Sequence, residues 1–545
     1  MIRKLMAENR FSFAPLKSER EDASERKGVS EREDAKTRRR EGRKKILCFG
    51  LQKSFSSYLF LLFAPSRLRG LRVCIFFPPL MALLAVNGCL VGPDYHAPKQ
   101  TMPARWDTPP TTQASLLMQQ PSHLDQWWTL FGDPELDSLV RRAVVSNLDL
   151  EAAAERIHAA RASLGIAKGE LLPTVDSDGS FTRSGGEKLP WTSNWQAGLN
   201  AAWDVDVFGG LRRGVESSDA SLGAAVEDRR DVLVTLLGEV ATDYITLRGQ
   251  QQEIVIAQEN LAVDTKNAEL ARNKQKLGTG TDLDNAQADA QVATTEADIA
   301  TLQASAQQSI YAISVLLGLP PSTLNDELTP IARIPDPPTE LPVGLPSDLL
   351  RRRPDIRRAE RQLAAQTANI GVAVSALFPQ FSLSGSVGLQ ARRIDMLDWQ
   401  HSFWSFGPGV TWSILDANRL RSNIDLQNAL QEQSLTAYRA AVLNALLQVQ
   451  NVLVAFAAEQ HRRVALQRSV DFNKRAVEIA TRRYREGGLT DFLSVLDAER
   501  ALFASQDALV QSNSAVGTDA VTLYRALGGG WEIDRNPATT KPVNH

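Results

Sequence analysis

The sequence predicts a membrane β-barrel carried on long α-helical rods. Three observations predict it: an internal duplication of about two hundred residues, two alternating strand candidates in each copy, and a proline-free stretch of 67 residues in each copy.

The duplication comes first because it orders the rest. Glu269-Leu270-Ala271, Gly278 and Thr281-Asp282-Leu283 correspond to Glu478-Ile479-Ala480, Gly487 and Thr490-Asp491-Phe492, all displaced by 209. Trp203 with Leu211-Arg212 corresponds to Trp412 with Leu420-Arg421 at the same displacement. Leu172-Pro173 corresponds to Phe378-Pro379 at 206, and Leu317-Gly318 to Leu527-Gly528 at 210. Correspondences in order at a nearly constant displacement make one unit written twice, with a period far above that of a solenoid.

Each copy holds two strands. Trp195, Ala197, Leu199, Ala201, Trp203 and Val205 alternate with Gln196, Gly198, Asn200, Ala202 and Asp204. The neighbouring run sets Val175, Gly179 and Phe181 against Thr174, Asp176, Asp178 and Thr182. In the second copy Phe381, Leu383, Val387 and Leu389 alternate with serines, and Trp404, Phe406 and Val410 with Ser405, Gly407 and Gly409. A soluble sheet also alternates. Here the off-face residues are small or polar rather than long Lys and Glu. Six of the ten tryptophans (Trp191, Trp195, Trp203, Trp399, Trp404, Trp412) lie in or beside the strands, as in an aromatic girdle. The outward set is expected to include Leu199, Val205 and Leu383. Four strands cannot close a barrel whose minimum is about eight, so several copies of the chain must contribute.

The rest reads as helix. Leu211–Leu277 and Leu420–Glu486 are each proline-free and 67 residues long, about 100 Å as helix. Shorter helices are expected over 135–171, 281–318, 347–376 and 490–528. The middle two stacked end to end, and likewise the outer two, match the long ones in length. Pro330 to Pro346 marks a turn region between the copies, and Ser347 or Asp348 is placed to cap the helix that follows.

The front end is for targeting. Residues 1–88 carry 19 Lys/Arg against 9 Asp/Glu, which leaves 42 against 54 in residues 89–545. The acidic body argues against nucleic acid as a partner. Residues 1–70 are either a charged extension or an over-long start. Residues 71–88 read as a secretory signal: basic Arg67 to Arg72, then an apolar run too short and too interrupted by Pro78-Pro79 for a confident membrane span. It ends in Leu84-Ala85-Val86-Asn87-Gly88-Cys89, which resembles a bacterial lipobox. Cys89 is therefore the expected site of covalent lipid, palmitate included, and the first residue of the mature chain. No cysteine follows it, so a disulfide framework and a cysteine metal site are excluded from the body. The histidines never approach ligand spacing, and no phosphate loop, nucleophile elbow or dinucleotide turn occurs. No cofactor, no metal and no catalysis are expected. Gly528-Gly529-Gly530 before Trp531 reads as a helix C-cap.

A resemblance now becomes visible. Gly344-Leu345-Pro346-Ser347-Asp348-Leu349-Leu350-Arg351-Arg352-Arg353-Pro354-Asp355-Ile356, with Arg358-Ala359-Glu360 and Ala376-Leu377-Phe378-Pro379, resembles the signature region of the TolC-like outer-membrane efflux proteins in their NodT-type lipoprotein branch. Cys89 to Tyr95, Trp127-Trp128 with Phe131-Gly132-Asp133-Pro134, Tyr484-Arg485-Glu486-Gly487 and Tyr524 to Trp531 are similar to that branch as well. The resemblance covers about 89–532. It implies a homotrimer with a twelve-stranded barrel in the outer membrane, and a periplasmic coiled-coil tunnel with a mixed equatorial region. The tunnel's end would meet a periplasmic adaptor and an inner-membrane RND pump. The chain then divides into a first repeat at 89–318, a proline-rich equatorial linker at 319–346, a second repeat at 347–530 and a flexible tail at 531–545.

Gly278-Thr279-Gly280 and Gly487-Gly488 are the two helix-to-helix turns, which the resemblance makes adaptor-contacting tips. After the second, Leu493, Asp497 and Arg500 recur at spacings of four and three on one helix face. By resemblance Leu493 and Asp497 match the constricting rings of the family, and Arg500 an ionic link near the closed end. The plain alternative is an ordinary surface pair. The resemblance implies a passive exit duct for small molecules. A protein-secretion duct of the same fold, a non-conducting periplasm-spanning tether and a soluble periplasmic protein are the competing readings.

Overall fold

The computed structural model describes residues 89–106, 124–338, 346–486 and 491–535. The extension at 1–70, the signal at 71–88, the turn glycines Gly487 and Gly488 and the last ten residues lie outside these.

The first copy runs through helices α1 (Pro134–Ser146) and α2 (Leu148–Gly169), strands β1 (Thr174–Gly186) and β2 (Leu189–Val205), and the 67-residue α3 (Gly210–Lys276). It closes with α4 (Asp282–Leu316) and a single turn, α5 (Asn325–Leu328). The second copy runs through α6 (Leu349–Arg352), α7 (Pro354–Ser375), β3 (Gln380–Ala391), β4 (Ser402–Thr411), the 69-residue α8 (Ala417–Arg485) and α9 (Phe492–Ala526).

Two helices expected to be continuous are broken, each for a local reason. At Asn147 the backbone is extended; its side chain accepts from the Leu150 amide at 2.9 Å and donates to the Leu316 carbonyl at 2.9 Å, so it caps α2 and ties it to the end of α4. At Arg353 the chain is again extended, as the residue before a proline requires, and Pro354 opens α7 at its first position. Asp348 stands at the start of α6 without making a capping bond to it.

The duplication is legible in how helices end. Gly318 after α4 and Gly528 after α9 both adopt positive φ, at 68° and 70°. In each case the following amide reaches back across the last turn: Leu319 to the Ser314 carbonyl and Gly529 to the Tyr524 carbonyl. This is the Schellman closure, and it makes Gly528 the expected C-cap. The tail expected to be flexible from residue 531 instead begins as a short 3-10 helix, Trp531–Arg535. Trp531 is buried, with the guanidinium groups of Arg230 and Arg357 at 4.6 and 5.5 Å from its ring centre.

Helix packing follows from antiparallel returns. α7 lies along the first half of α3, with Ser375 against Gly210 and Arg361 against Gly223. α4 lies along the last half, with Ser309 bonded to Gln250 and Thr295 to Asp264. α9 also runs back along α3, from Glu499 beside Asn267 to Arg525 beside Gly238. α8 packs on α7 and α9. The main core gathers mid-length around Trp127, Leu237, Tyr244, Val449 and Tyr524, where Trp127 stacks on Tyr524 at 5.2 Å. A smaller core of Ala268, Ala271, Ala288, Tyr484, Phe492 and Leu496 holds the far end.

The strands form one antiparallel sheet in the order β1-β2-β3-β4. Its register decides the faces. Leu199 sits opposite Val387, Trp203 opposite Leu383, and Val387 opposite Trp404, so the apolar positions of all four strands share one face. Leu199, Val387 and Trp404 are 49, 46 and 80% exposed in the single chain, which is how lipid-facing side chains look. The other face is laced by polar pairs: Asn200 to Asp178 at 2.6 Å, Ser386 to Ser405 at 2.8 Å and Gln390 to Asn194 at 3.1 Å. Trp203 and Trp412 occupy the same place in the two copies. Each donates its indole N–H to a carbonyl just past the preceding helix, Leu171 at 3.0 Å and Leu377 at 3.1 Å. Together they belt the end of the sheet that joins the helices.

Candidate functional site

Three places could carry function: the far end of the helices, the junction between copies, and the N-terminal stem.

At the far end, α3 closes on Gly278 at φ +74°, with the Thr279 amide bonded to the Lys274 carbonyl at 2.9 Å. Thr281 and Asp284 form a reciprocal capping box that starts α4, so the turn Gly278-Thr279-Gly280 is tightly closed. Asp491 caps α9 through the Ser494 amide at 3.1 Å. The ends of α3 and α8 are clasped by Lys274, whose ammonium binds the Tyr484 carbonyl and lies 3.6 Å from the centre of its ring.

α9 then presents two faces. Phe492, Val495, Leu496 and Glu499 are buried. Leu493, Asp497 and Arg500 stand together on the exposed side, Leu493 at 44% exposure. Arg500 lies 3.9 Å from Asp497 and donates to Gln291 of α4 at 3.0 Å. The three expected gate residues are thus brought onto one free face, and Arg500 links two helices of the same protomer.

Behind that face is a polar cluster that the sequence reading missed. Glu499 of α9 and Asp264 of α3 are buried, at 1 and 2% exposure. Asn267 donates to one Glu499 oxygen and Thr295 to one Asp264 oxygen at 2.7 Å, but Oε2 of Glu499 and Oδ1 of Asp264 have no hydrogen-bond partner. Burial, with the Asp264 carboxyl beside it, pushes the Glu499 carboxyl up to about 7; burial also raises Asp264. The signal was present in the sequence: Glu499 occupies an apolar slot in the Phe492, Val495, Leu496 series.

The junction is built from the arginine-rich signature. Arg353 donates to the Ala526 carbonyl at 2.7 Å, to Gln448 at 2.9 Å and to both oxygens of Asp355. Arg358 binds Asp228 of α3 at 2.6 Å, which also holds Arg156 of α2 at 3.1 Å. Arg357 and Arg230 share Glu227. The motif fastens α2, α3, α7, α8 and α9 together.

The stem from Cys89 is docked rather than loose. The Val91 amide bonds the Phe208 carbonyl at 3.2 Å, just past β2. Arg213, almost wholly buried, donates to the Val91 carbonyl at 3.1 Å, to Asp94 at 2.8 Å and to Glu216 at 2.6 Å. A side chain on Gly92 would place its Cβ 2.5 Å from the Cα of Gly371, so glycine is required at this crossing. Cys89 itself is exposed. It is held at the belt where sheet meets helices. Nothing in the sequence marks Arg213 for this task.

A model of the family described as outer membrane efflux protein matches residues 139–319 and 345–529. The chain belongs to that family. It is 33% identical over 470 residues to Nodulation protein T of Rhizobium leguminosarum bv. trifolii, covering 85% of this chain and 98% of that protein. It is 35% identical over 432 residues to the pyoverdine export outer membrane protein OpmQ of Pseudomonas aeruginosa, covering 77 and 90%. Among solved structures, the outer-membrane channel OprN matches with a TM-score of 0.76 at 36% identity, over 82% of this chain and all of that one. CusC matches at 0.72 and 29%, over 81 and 100%.

The sheet with two open edges is therefore one third of a barrel. Three copies contribute four strands each, twelve in all, and their helices form the tunnel that extends into the periplasm. The efflux family member described here is the outer-membrane duct of a tripartite system, acting with a periplasmic adaptor and an inner-membrane RND pump. Its relatives are ducts rather than enzymes.

Proposed function

We propose that this chain is a passive, non-catalytic exit duct for small molecules, lipid-anchored at Cys89 and constricted at the periplasmic end by rings of Leu493 and Asp497. The observation that carries the gate is the two-faced α9: its inner face is packed in the tip core, while Leu493, Asp497 and Arg500 are exposed together on the outer one, Arg500 reaching Gln291 of α4. Threefold symmetry turns each of them into a ring, and three carboxylates at a narrow neck concentrate cations and repel one another. Gly278, Thr279 and Gly280 lie in the closed turn next to it, and with Gly487 and Gly488 are the surface offered to the adaptor. The anchor is supported by the docked stem, which holds an exposed cysteine at the tryptophan belt.

Single-channel recording on the purified trimer tests the gate. Asp497→Ala is expected to raise conductance and weaken block by multivalent cations. Unchanged conductance and block reject this residue as the constriction. Mass spectrometry of the mature N-terminus tests the anchor: a lipid-modified Cys89 is expected, and an unmodified Cys89 or a start upstream of it sinks the assignment.

A further inference from the structure

Beyond the tip turn, α3, α4 and α9 of one protomer enclose a groove of about 450 Å³, a volume that suits a small molecule. Its lining is apolar at Ile256 of α3, Leu302 of α4 and Phe503 of α9. Each helix also contributes one carboxyl: Glu253 from α3, Asp298 from α4 and Asp507 from α9. The cation lining the groove is Arg500, and Gln291 already engages its guanidinium at 3.0 Å. Asp507 continues the exposed stripe of Asp497, Arg500 and Ala504 at spacings of three, four and three.

Two independent observations point to a ligand. The first is Asn260 of α3. It lines the groove at 8% exposure, and among the described residues its amide has no hydrogen-bond partner. A buried amide left unpaired is costly, so its polar atoms are set for something that enters the groove. The second is the mutual repulsion of the carboxyls. Burial, and after it the charge of Asp507, pushes the Glu253 carboxyl up to about 7. Burial, and after it the charge of Asp298, raises Asp507, although Gln511 donates to it at 2.9 Å. A positive charge among the three relieves both effects. A bare metal ion does not fit, because no three acidic, histidine or cysteine side chains among the described residues stand close enough together to hold one.

We propose that this groove binds a small organic cation with an apolar body, an ammonium carried on a ring or short chain. The apolar body lies against Ile256, Leu302 and Phe503, whose ring also accepts an ammonium over its face. The ammonium groups sit among Glu253, Asp298 and Asp507, and the Asn260 carbonyl oxygen accepts from them. Carboxyls too far apart for a single ion suit a charge borne on an extended body. The groove opens on the same face of α9 as the gate residues, ten residues or about 15 Å along the helix from Asp497. Its place on the export path therefore rests on the gate reading, and the binding itself does not.

Calorimetric titration of the purified full-length trimer with para-xylylenediamine at pH 8, where Glu253 is mostly charged, tests the site. Saturable binding is expected, with the neutral para-xylylene glycol bound at least about tenfold more weakly. Asp507→Asn and Asp298→Asn keep the shape of the groove and are each expected to weaken the diamine about tenfold. Asp497→Ala is expected to leave its affinity within about twofold. Absence of saturable binding, equal binding of the glycol, or wild-type affinity in either carboxyl variant overturns the proposal. So does calcium that displaces the diamine as tightly as the diamine itself binds, since the groove is then a metal site. Loss of binding in Asp497→Ala puts the cation at the constriction and also overturns it. The conductance of Asp497→Ala is read separately, so a failed gate leaves the groove standing, and a failed groove leaves the gate.

Discussion

Replacing Glu499 by glutamine removes a carboxyl that burial holds protonated. The packed tip releases this proton near pH 7, whereas an opened or unfolded tip releases it at the ordinary value of 4.5. At about 1.4 kcal/mol for each tenfold step, that difference amounts to about 3 kcal/mol per protomer at pH 8. The sign follows from the direction. Because the packed value is raised, the contact of α9 with α3 is at full strength below pH 4.5 and weakens as pH rises through the interval to about 7. The amide of Glu499→Gln still accepts from Asn267 and titrates nowhere in this range. Hydrogen exchange of the first turns of α9, corrected for intrinsic rates, reads the effect. Between pH 5 and 8 the wild-type opening equilibrium should grow about a hundredfold. The variant should show a much flatter profile, with a residue of slope from Asp264. An unchanged slope in Glu499→Gln would refute the claim that this carboxyl governs the packing of the tip.

Two further outcomes follow from the geometry. Leu199→Arg places a charge mid-strand on the apolar face, opposite Val387, and should cost about 2–4 kcal/mol in barrel stability, while Ser384→Arg on the polar face should cost far less; the fraction of assembled trimer after detergent unfolding distinguishes them. Arg213→Ala removes charge-assisted bonds to Asp94 and Glu216 and leaves the Val91 carbonyl without its donor. It should cost about 3 kcal/mol and expose residues 89–96 to protease, and a stem as resistant as wild type contradicts its role as the clamp.

Much of this architecture is written locally. Alternation from Trp195 to Val205 needs only a period of two to be read, and β2 covers it. The long proline-free runs became α3 and α8 within three residues at each end, because uninterrupted helix formers have no local reason to stop. Glycine after Leu317 and Leu527 announces the helix ends, since only glycine takes the left-handed conformation cheaply. The face shared by Leu493, Asp497 and Arg500 is a matter of spacing alone.

What tertiary structure decided is where local signals are silent or conflict. The breaks at Asn147 and Arg353 have local triggers, a capping side chain and a following proline, but the bonds that secure them run to Leu316, Ala526 and Gln448, far away in the chain. Asp264 and Glu499 look like two solvated carboxylates until packing strips water from both. Arg213 became a clamp because the stem crosses α3 at that turn. The sheet shows the division most clearly. Periodicity could say which side chains share a face, but only the pairing of β2 with β3, across more than 170 residues of intervening chain, joins the two hairpins into one sheet. That pairing depends on which surfaces meet once the helices have packed, and no window of sequence contains it.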